Sequence, residues 1–543
     1  MLKSRLVLLL ILLFVIGYNG PEAAQRQGVI YPAPKKIEYK GGFLNIDSTW
    51  KIVSCNRKFD RIAQNLSNEI NERLDVSLSV DYDLTNIKKA IVICDKVDIA
   101  GELFKSGSSS SAYMTKEEAY IIKSAKETVY IISNNSRGAF YGSISLLSLF
   151  KVQNSLLICP LIEIVDYPSC DIRAVHFCGA DPKSIKKQLK EIAELKYNTA
   201  IIDTWDYFHL SESNNADKWH EIFDYARSLN INPIPELQSF GAAGSILTIN
   251  PQSAEGIWVK DAEFKFYNDI AKPVNNLKLP LKNILRNKET DITITSIDGK
   301  TVYEEDRDYE IIDGITAYPF EKTNKSYIIK RIKSGRLKNS QNILVSYDYV
   351  ERKCDFANWS IPYCPSSEIT YKIMDTAIDN VIAHLQPSQI SIGHDEVRGL
   401  NRDSRCLKRD MTNAELLSED INKLYDIINK YDNSIEILMW ADMLNPWHNG
   451  GKEDYQVQFG GKPGKTDIAA DYIPNDIILL LWWLNKDNIK YAPAFFSHKG
   501  YHYWAEGNKW LQAEPKPKGI LITTWDGFNK AGKKLNAMAE ILW

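Results

Sequence analysis

From residue 171 onward the chain repeats one unit: a short apolar run, then a stretch with apolar residues at helical spacing. The runs lie at residues 171–177, 198–203 and 232–236, and after a gap at 389–393, 435–440, 477–482, 500–504 and 519–524. Runs of this length read as buried strands, and the 3.6-residue period between most of them reads as helix. Eight βα units predict a (β/α)8 TIM barrel, an α/β fold whose site lies at the C-terminal ends of its strands. An open doubly wound sheet is the competing topology, but no glycine-rich phosphate loop follows any run.

The gap has its own pattern. Between about residues 260 and 351 the helical period is lost, and residues 291–295, 296–300 and 342–347 read as strands with a turn at Asp298-Gly299. This is a β-rich insertion after the third barrel strand, at a loop where a barrel tolerates additions. Ahead of the barrel, residues 28–166 mix both periods. Residues 89–94, 119–123 and 128–132 read as strands, and 59–74 and 138–150 as helices. That is a smaller α+β domain with no convergent set of reactive residues, and the barrel then occupies residues 169–543.

At the very start, Lys3 and Arg5 precede an apolar run over residues 6–17. The run is short for a membrane span and fits a signal peptide over residues 1–24, so export to the cell envelope or beyond is expected. Glu22 disturbs the small-x-small cleavage pattern, which leaves an uncleaved anchor open. The net charge of −3 offers no basic footprint for nucleic acid. No CxxC pair joins the eight cysteines, and no His-Glu-x-x-His motif occurs, so neither a metal nor another cofactor is expected. Cys354 with Cys364, or Cys170 with Cys178, could pair by proximity; buried thiols serve equally well.

Acids and aromatics gather where the strands end. The second run ends in Asp203-Thr204-Trp205-Asp206, the third in Glu236 with Gln238 beyond, and the fourth in Gly393-His394-Asp395-Glu396. The fifth ends in Trp440-Ala441-Asp442 and the sixth in Trp482-Trp483. The seventh carries Tyr501 and Tyr503, and the eighth ends in Trp525-Asp526. A barrel core prefers Val, Ile and Leu, so tryptophans on so many strand ends suit a pocket wall, where an indole stacks on the C–H-rich face of a sugar ring. Two adjacent carboxylates repel, which pushes one pKa up and leaves one group able to hold a proton while the other stays anionic. Helix capping is the alternative use of such a pair.

Ser391-Ile392-Gly393-His394-Asp395-Glu396-Val397 resembles the strand-four motif of glycoside hydrolase family 20, the β-N-acetylhexosaminidases, His-Ile-Gly-Gly-Asp-Glu-Val. Arg173, Lys196-x-Asn198 with Asp206, Pro235-Glu236, and Met439-Trp440-Ala441-Asp442 are similar to that family's other strand motifs. The resemblance covers nearly the whole chain after its leader and implies a retaining, substrate-assisted hydrolase that removes terminal N-acetylhexosamine from glycans. Glu396 would be the general acid and base. Asp395 would orient the substrate's acetamido group, and Tyr503, with Tyr501 as runner-up, would donate to the acetamido oxygen. Arg173, Asp206, Trp440, Asp442, Trp482 and Trp525 would bind the sugar. Asp203 stands where the family has His, Ser239-Phe240-Gly241-Ala242 replaces its Pro-Gly-His, and the last motif reads Trp525-Asp526-Gly527. The family's supporting histidines are thus missing, or moved to His394. Two other readings stay open: a catalytically weak carbohydrate-binding or sensing barrel, and a barrel glycosidase on a non-acetamido sugar with Glu396 paired to Glu236 or Asp206.

Overall fold

The computed structural model describes residues 28–83, 87–95, 115–153, 156–212, 214–274, 281–351 and 360–543. The expected signal peptide and Cys354 lie outside the described residues. Contacts divide the chain into two units: residues up to Asp171 with Lys190–Tyr197 and Phe528–Trp543, and then Ile172–Leu189 with Asn198–Gly527.

The first unit is built on a mixed sheet. Its strands are β1 (Lys36–Ile46), β2 (Lys51–Ser54), β3 (Ser79–Asp81), β4 (Ala90–Cys94), β5 (Tyr120–Ala125), β6 (Thr128–Ser133), β7 (Lys151–Gln153) and β8 (Leu156–Asp166). They lie in the order β1-β8-β5-β6-β4-β2-β3, with β7 added alongside β8. Helices α1 (Asp60–Leu74) and α2 (Ser136–Leu149) belong to this unit. Asn135 caps α2 by accepting the Gly138 N–H at 2.8 Å, which satisfies one of the free donors of a helix start. Gly138 must be glycine there, because a Cβ would stand 2.3 Å from Ser133 Oγ and 2.6 Å from the Ala119 carbonyl. Asp166 is buried and ion-paired to Lys196 at 2.9 Å, and it also accepts the Trp543 indole N–H at 2.7 Å. A buried charge persists only when paired and hydrogen-bonded in this way, so Lys196 is a structural residue of the first unit.

The second unit is a closed parallel barrel. Its strands are β9 (Ile172–Phe177), β10 (Thr199–Asp203), β11 (Asn232–Ser239), then β19 (Gln389–Gly393), β20 (Glu436–Trp440), β21 (Ile478–Leu481), β22 (Tyr503–Glu506) and β23 (Gly519–Thr523), which returns to β9. Helices α3 (Ile185–Glu194), α4 (Asn215–Ser228), α5 (Glu368–Leu385), α6 (Asn413–Tyr431) and α7 (Lys486–His498) lie in intervals between these strands, the residues of α3 being divided between the two units, while α8 (Phe528–Leu542), after the last strand, belongs to the first unit. Helix α6 opens with a reciprocal capping box between Thr412 and Glu415, and Leu416, Leu417, Ile421, Leu424 and Ile428 form its buried face.

Alternate residues on the strands meet in one interior cluster: Ala174, Ile201, Ile234, Leu438, Trp440, Ile478, Leu480, Trp504 and Leu521. The two-residue period of a strand then sends His176, Asp203, Glu236 and Glu506 to the same interior face, at the C-terminal ends. Between β11 and α5 lies the insertion, a seven-stranded sheet of β12 (Ile257–Tyr267), β13 (Ile270–Pro273), β14 (Thr293–Ser296), β15 (Val302–Tyr303), β16 (Tyr309–Asp313), β17 (Tyr327–Arg331) and β18 (Asn342–Tyr349). It has its own core around Phe264, Phe266, Ile294, Ile329, Ile343 and Val345. Residues 296–300, expected as a strand, instead carry the tight turn into β15, with Gly299 at φ +70°.

Strand seven differs from its expected position in a way that matters. Helix α7 ends in a cap with Gly500 at φ +89°, and the strand begins at Tyr503 and runs to Glu506. The aromatic run at residues 500–504 is therefore the entry to the strand and not its exit.

Candidate active site

The chain turns sharply after β19. Gly393 and His394 both stand at φ +70° and Glu396 at φ +49°, a left-handed backbone that costs non-glycine residues energy and recurs at functional sites. The surroundings hold the turn in place. His394 is fully buried, its Nδ1 lies 2.7 Å from Ser239 Oγ, and its Nε2 lies 2.8 Å from Asp420 Oδ2. Asp420 also accepts the hydroxyls of Tyr363 at 2.8 Å and Tyr371 at 2.6 Å. His394 is thus a peg under the turn, engaged by Asp420 and not by Glu396. From the other side Gly241 lies against the Asp395-Glu396 backbone, where a Cβ would come within 2.2 Å of the Asp395 carbonyl.

The acid pair faces further acids. Asp442, after β20, accepts the Glu396 backbone N–H at 2.9 Å and the Asn449 amide at 2.8 Å through Oδ2, while its buried Oδ1 has no partner. The Trp482 indole N–H faces Asp442 without closing a full hydrogen bond. Burial pushes Asp442 up to about 6. Burial, with the charges of Asp442, Glu236 and Glu396, raises Asp395 well above the usual carboxylate range. The Glu396 carboxylate is ion-paired with Arg398 at 2.7 Å and remains partly open to solvent.

Deeper in the barrel mouth Glu236 is gathered into a group around His176, a residue that sequence patterns did not single out. His176 Nε2 is 2.9 Å from Glu236 Oε1, Ser391 Oγ donates to Glu236 Oε2 at 2.6 Å, and the Trp440 indole N–H reaches Oε1 at 3.4 Å. Burial opposes charge on His176, but Glu236, Asp203 and Glu506 outweigh it and raise its pKa. Burial and the Glu236 charge lift Asp203 to about 7. The imidazole lies 5.3 Å from Trp440 and 4.8 Å from Trp525, ring to ring. Trp525 is 44% exposed, so it offers an indole face to solvent beside this buried group. His448 sits 4.5 Å from both Trp482 and Trp483, and burial with the Lys452 charge depresses its pKa to about 3, so it is a neutral spacer. Trp205, just past β10, meets Tyr318 of the insertion at 6.3 Å, which brings the insertion to the rim of the barrel mouth.

Asp395, Glu396, Trp440, Asp442, Trp482 and Trp525 therefore converge, and Arg173, Asp206, Tyr503 and its runner-up Tyr501 do not. Tyr503 starts β22, one residue out of phase with the interior Trp504, so it points away from the barrel interior, and its hydroxyl donates to the Pro515 carbonyl. Tyr501 donates to the Ala470 carbonyl at 2.8 Å. Arg173 is buried near the start of β9 and out of phase with Ala174 and His176, on the outer face. Asp206 lies in the first turn of a short helix and accepts the Trp219 indole N–H at 2.9 Å.

A different phenol occupies the neighbourhood. Tyr455, in the segment between β20 and β21, is buried, and its hydroxyl has no hydrogen-bond partner. Burial, with the charges of Asp442, Glu396 and Asp395, raises its pKa. No strand-end pattern marks such a loop residue, whereas His176 and Glu506 could have been found by extending the interior phase of each strand to its end. Cys170 and Cys178, which could pair by proximity, are not joined by a disulfide, and Cys364 of the other candidate pair is in none either.

Residues 28–167 match the model of glycosyl hydrolase family 20, domain 2. A β-hexosaminidase of Porphyromonas gingivalis (strain ATCC BAA-308 / W83) is 27% identical over 300 residues, 45% of this chain and 37% of that protein, so the match spans little more than a third of the relative's length. In fold the chain resembles the β-N-acetylhexosaminidase of Bacteroides fragilis NCTC 9343, with a TM-score of 0.57 and 14% identity over 95% of this chain and 90% of that one. It also resembles a Vibrio harveyi exo-β-N-acetylglucosaminidase solved with N-acetylglucosamine, with a TM-score of 0.59 and 13% identity over 97% of this chain and 75% of that one.

Proposed function

We propose that this chain, a glycoside hydrolase family 20 β-N-acetylhexosaminidase-like protein, removes terminal N-acetylhexosamine from glycans with the substrate's own acetamido group as nucleophile. The observation that carries the reading is the turn after β19. It sets two adjacent carboxylates, Asp395 and Glu396, beside Asp442 and ties the second to it through its backbone N–H.

Adjacency suits two tasks on one sugar. Glu396 protonates the leaving glycosidic oxygen as the C1–O bond breaks, while the acetamido carbonyl oxygen bonds to C1 from the opposite face. The nitrogen of the resulting oxazolinium becomes positive, and Asp395 accepts its N–H. A carboxylate whose pKa is raised by burial and by Asp442, Glu236 and Glu396 is a stronger base toward that N–H than an ordinary aspartate. Tyr455, in place of Tyr503, donates its unpartnered hydroxyl to the acetamido oxygen. Glu396 then takes a proton from water as the water oxygen bonds to C1, the C1–O bond of the oxazolinium breaks and returns its electron pair to the acetamido group, and the anomeric configuration is retained. Trp440, Trp482 and Trp525 line the site and keep bulk water from the intermediate.

The paired-carboxylate alternative finds less support. Glu236 is committed to His176, Ser391 and Trp440, and Asp206 to Trp219. Hydrolysis of an aryl 2-acetamido-2-deoxy-β-glucoside beside the plain aryl β-glucoside tests the reading. The account expects turnover of the first only, and equal turnover of both contradicts it. Turnover of neither favours a binding protein. Glu396→Gln is expected to lower kcat by roughly 10²–10⁴-fold, the usual contribution of a positioned general acid.

The glycan would be met outside the cytoplasm, since Lys3 and Arg5 precede an apolar run. Fractionation of cells expressing the whole chain tests this, and cytoplasmic retention counts against it. Among the described residues no helix is long and apolar enough to cross a membrane.

A further inference from the structure

The two ends of the insertion and the segment after the acid pair meet at four buried side chains that the proposed reaction does not use. Glu255 precedes β12, Cys364 follows the insertion, and Asp403 and Cys406 lie beyond Glu396. Each offers one donor atom, and all four atoms lie within 4.8 Å of one another. All four residues are fully buried. Cys364 Sγ is 3.5 Å from Cys406 Sγ and 3.5 Å from Asp403 Oδ1, and Cys406 Sγ is 3.3 Å from Glu255 Oε2.

We propose that Cys364, Cys406, Glu255 and Asp403 form a structural zinc site. A tetrahedral zinc with bonds of about 2.3 Å to sulfur and about 2.0–2.2 Å to oxygen puts its ligands roughly 3.3–3.8 Å apart. The three separations above fall in that range. The outer contacts are those of a built site. Glu255 Oε1 is occupied by the Arg402 N–H at 2.8 Å and the Asp403 N–H at 3.2 Å, which leaves Oε2 turned to Cys406. Asp403 Oδ2 takes the Arg405 guanidinium and the Gly256 N–H at 3.2 Å. Its Oδ1, held by the N–H groups of Arg405 at 3.0 Å and Cys406 at 3.1 Å, faces Cys364. Outer hydrogen bonds of this kind orient metal-ligating carboxylates.

Charge agrees with geometry. Binding releases two thiol protons, Zn²⁺ + 2 RSH → Zn(SR)₂ + 2 H⁺, so the net charge of the buried site is unchanged. A dication between the carboxylates relieves their repulsion and stabilises both thiolates. The donors come from three separate segments, so no motif spacing along the chain marks a metal. The site clamps both ends of the insertion to the segment that follows Glu396.

The reduced, chelator-treated chain, titrated with zinc or cobalt(II) alone, tests this. One equivalent should bind, about two protons should be released per metal, and cobalt should give a thiolate charge-transfer band. Cys364→Ser and Cys406→Ser should each abolish the band; because either variant could misfold, the wild-type titration stands as the primary measurement. No uptake, or uptake without the thiolate band, overturns the site. A Cys364–Cys406 disulfide in the oxidatively purified chain that cannot be exchanged for bound metal after reduction overturns it as well.

Discussion

At the scale of single residues, raised carboxylate pKa values give the clearest signs. Asp395 must be ionised to accept the acetamido N–H, so kcat/KM should fall as pH drops through its raised pKa. Asp442→Asn keeps an oxygen acceptor for the Glu396 N–H but removes one of the charges that raise Asp395. The acid limb of the kcat/KM profile should therefore move to lower pH; a limb that stays in place removes Asp442 from the electrostatics of the pair. Stability runs the opposite way to activity. The folded chain binds the Asp395 proton more tightly than the unfolded chain does, so ionising Asp395 costs folding free energy above its folded pKa and nothing below the unfolded value of about 3.9. Asp395→Asn should raise Tm near pH 8, give no gain near pH 3.5, and abolish turnover. Thermal melts at the two pH values check the sign. Tyr455→Phe should lower kcat on the acetamido substrate by about tenfold or more with Tm within a few degrees of wild type. An unchanged kcat assigns the phenol to packing.

At the scale of elements, the turn after β19 depends on its neighbours. Gly241→Ala puts a methyl group against the Asp395 carbonyl and Val397 N–H, so the acid pair must shift. A displacement near 1 Å costs on the order of 100-fold in rate, and steady-state kinetics on the aryl acetamido substrate should show a loss of that size. Full activity in this variant would mean that the turn tolerates movement. Strands that pair through long apolar runs were legible in the sequence: β10, β19 and β23 lie where the apolar pattern puts them, because a barrel strand is buried on both faces and reads as continuous apolar sequence. Strand β22 was not. Its entry is aromatic and its exit is Ala505-Glu506, so hydrophobicity marks the wrong end, and Tyr503, which the family resemblance nominates from this strand, lies at its entry. Arg173 differs in another way: it matches the motif in sequence, while its phase on β9 points outward.

At the scale of the whole molecule, periodicity alone carries the barrel, the preceding mixed domain and the β-rich insertion, because each has a distinct spacing of apolar residues. The site is only half legible. Adjacent residues such as Asp395-Glu396 announce themselves, but the His176–Glu236 pair, Tyr455 and the Cys364–Cys406 cluster each join segments far apart in the chain. Tertiary packing brings them together, and no local pattern encodes that. The central claim is that the substrate's own acetamido oxygen attacks C1. It is tested most directly with aryl glycosides carrying acetyl, monofluoroacetyl, difluoroacetyl and trifluoroacetyl groups on the 2-amino nitrogen. Fluorine withdraws electron density from the carbonyl oxygen, so log kcat/KM should fall steeply and steadily along the series; a flat series would show that the acetamido group takes no part in bond formation.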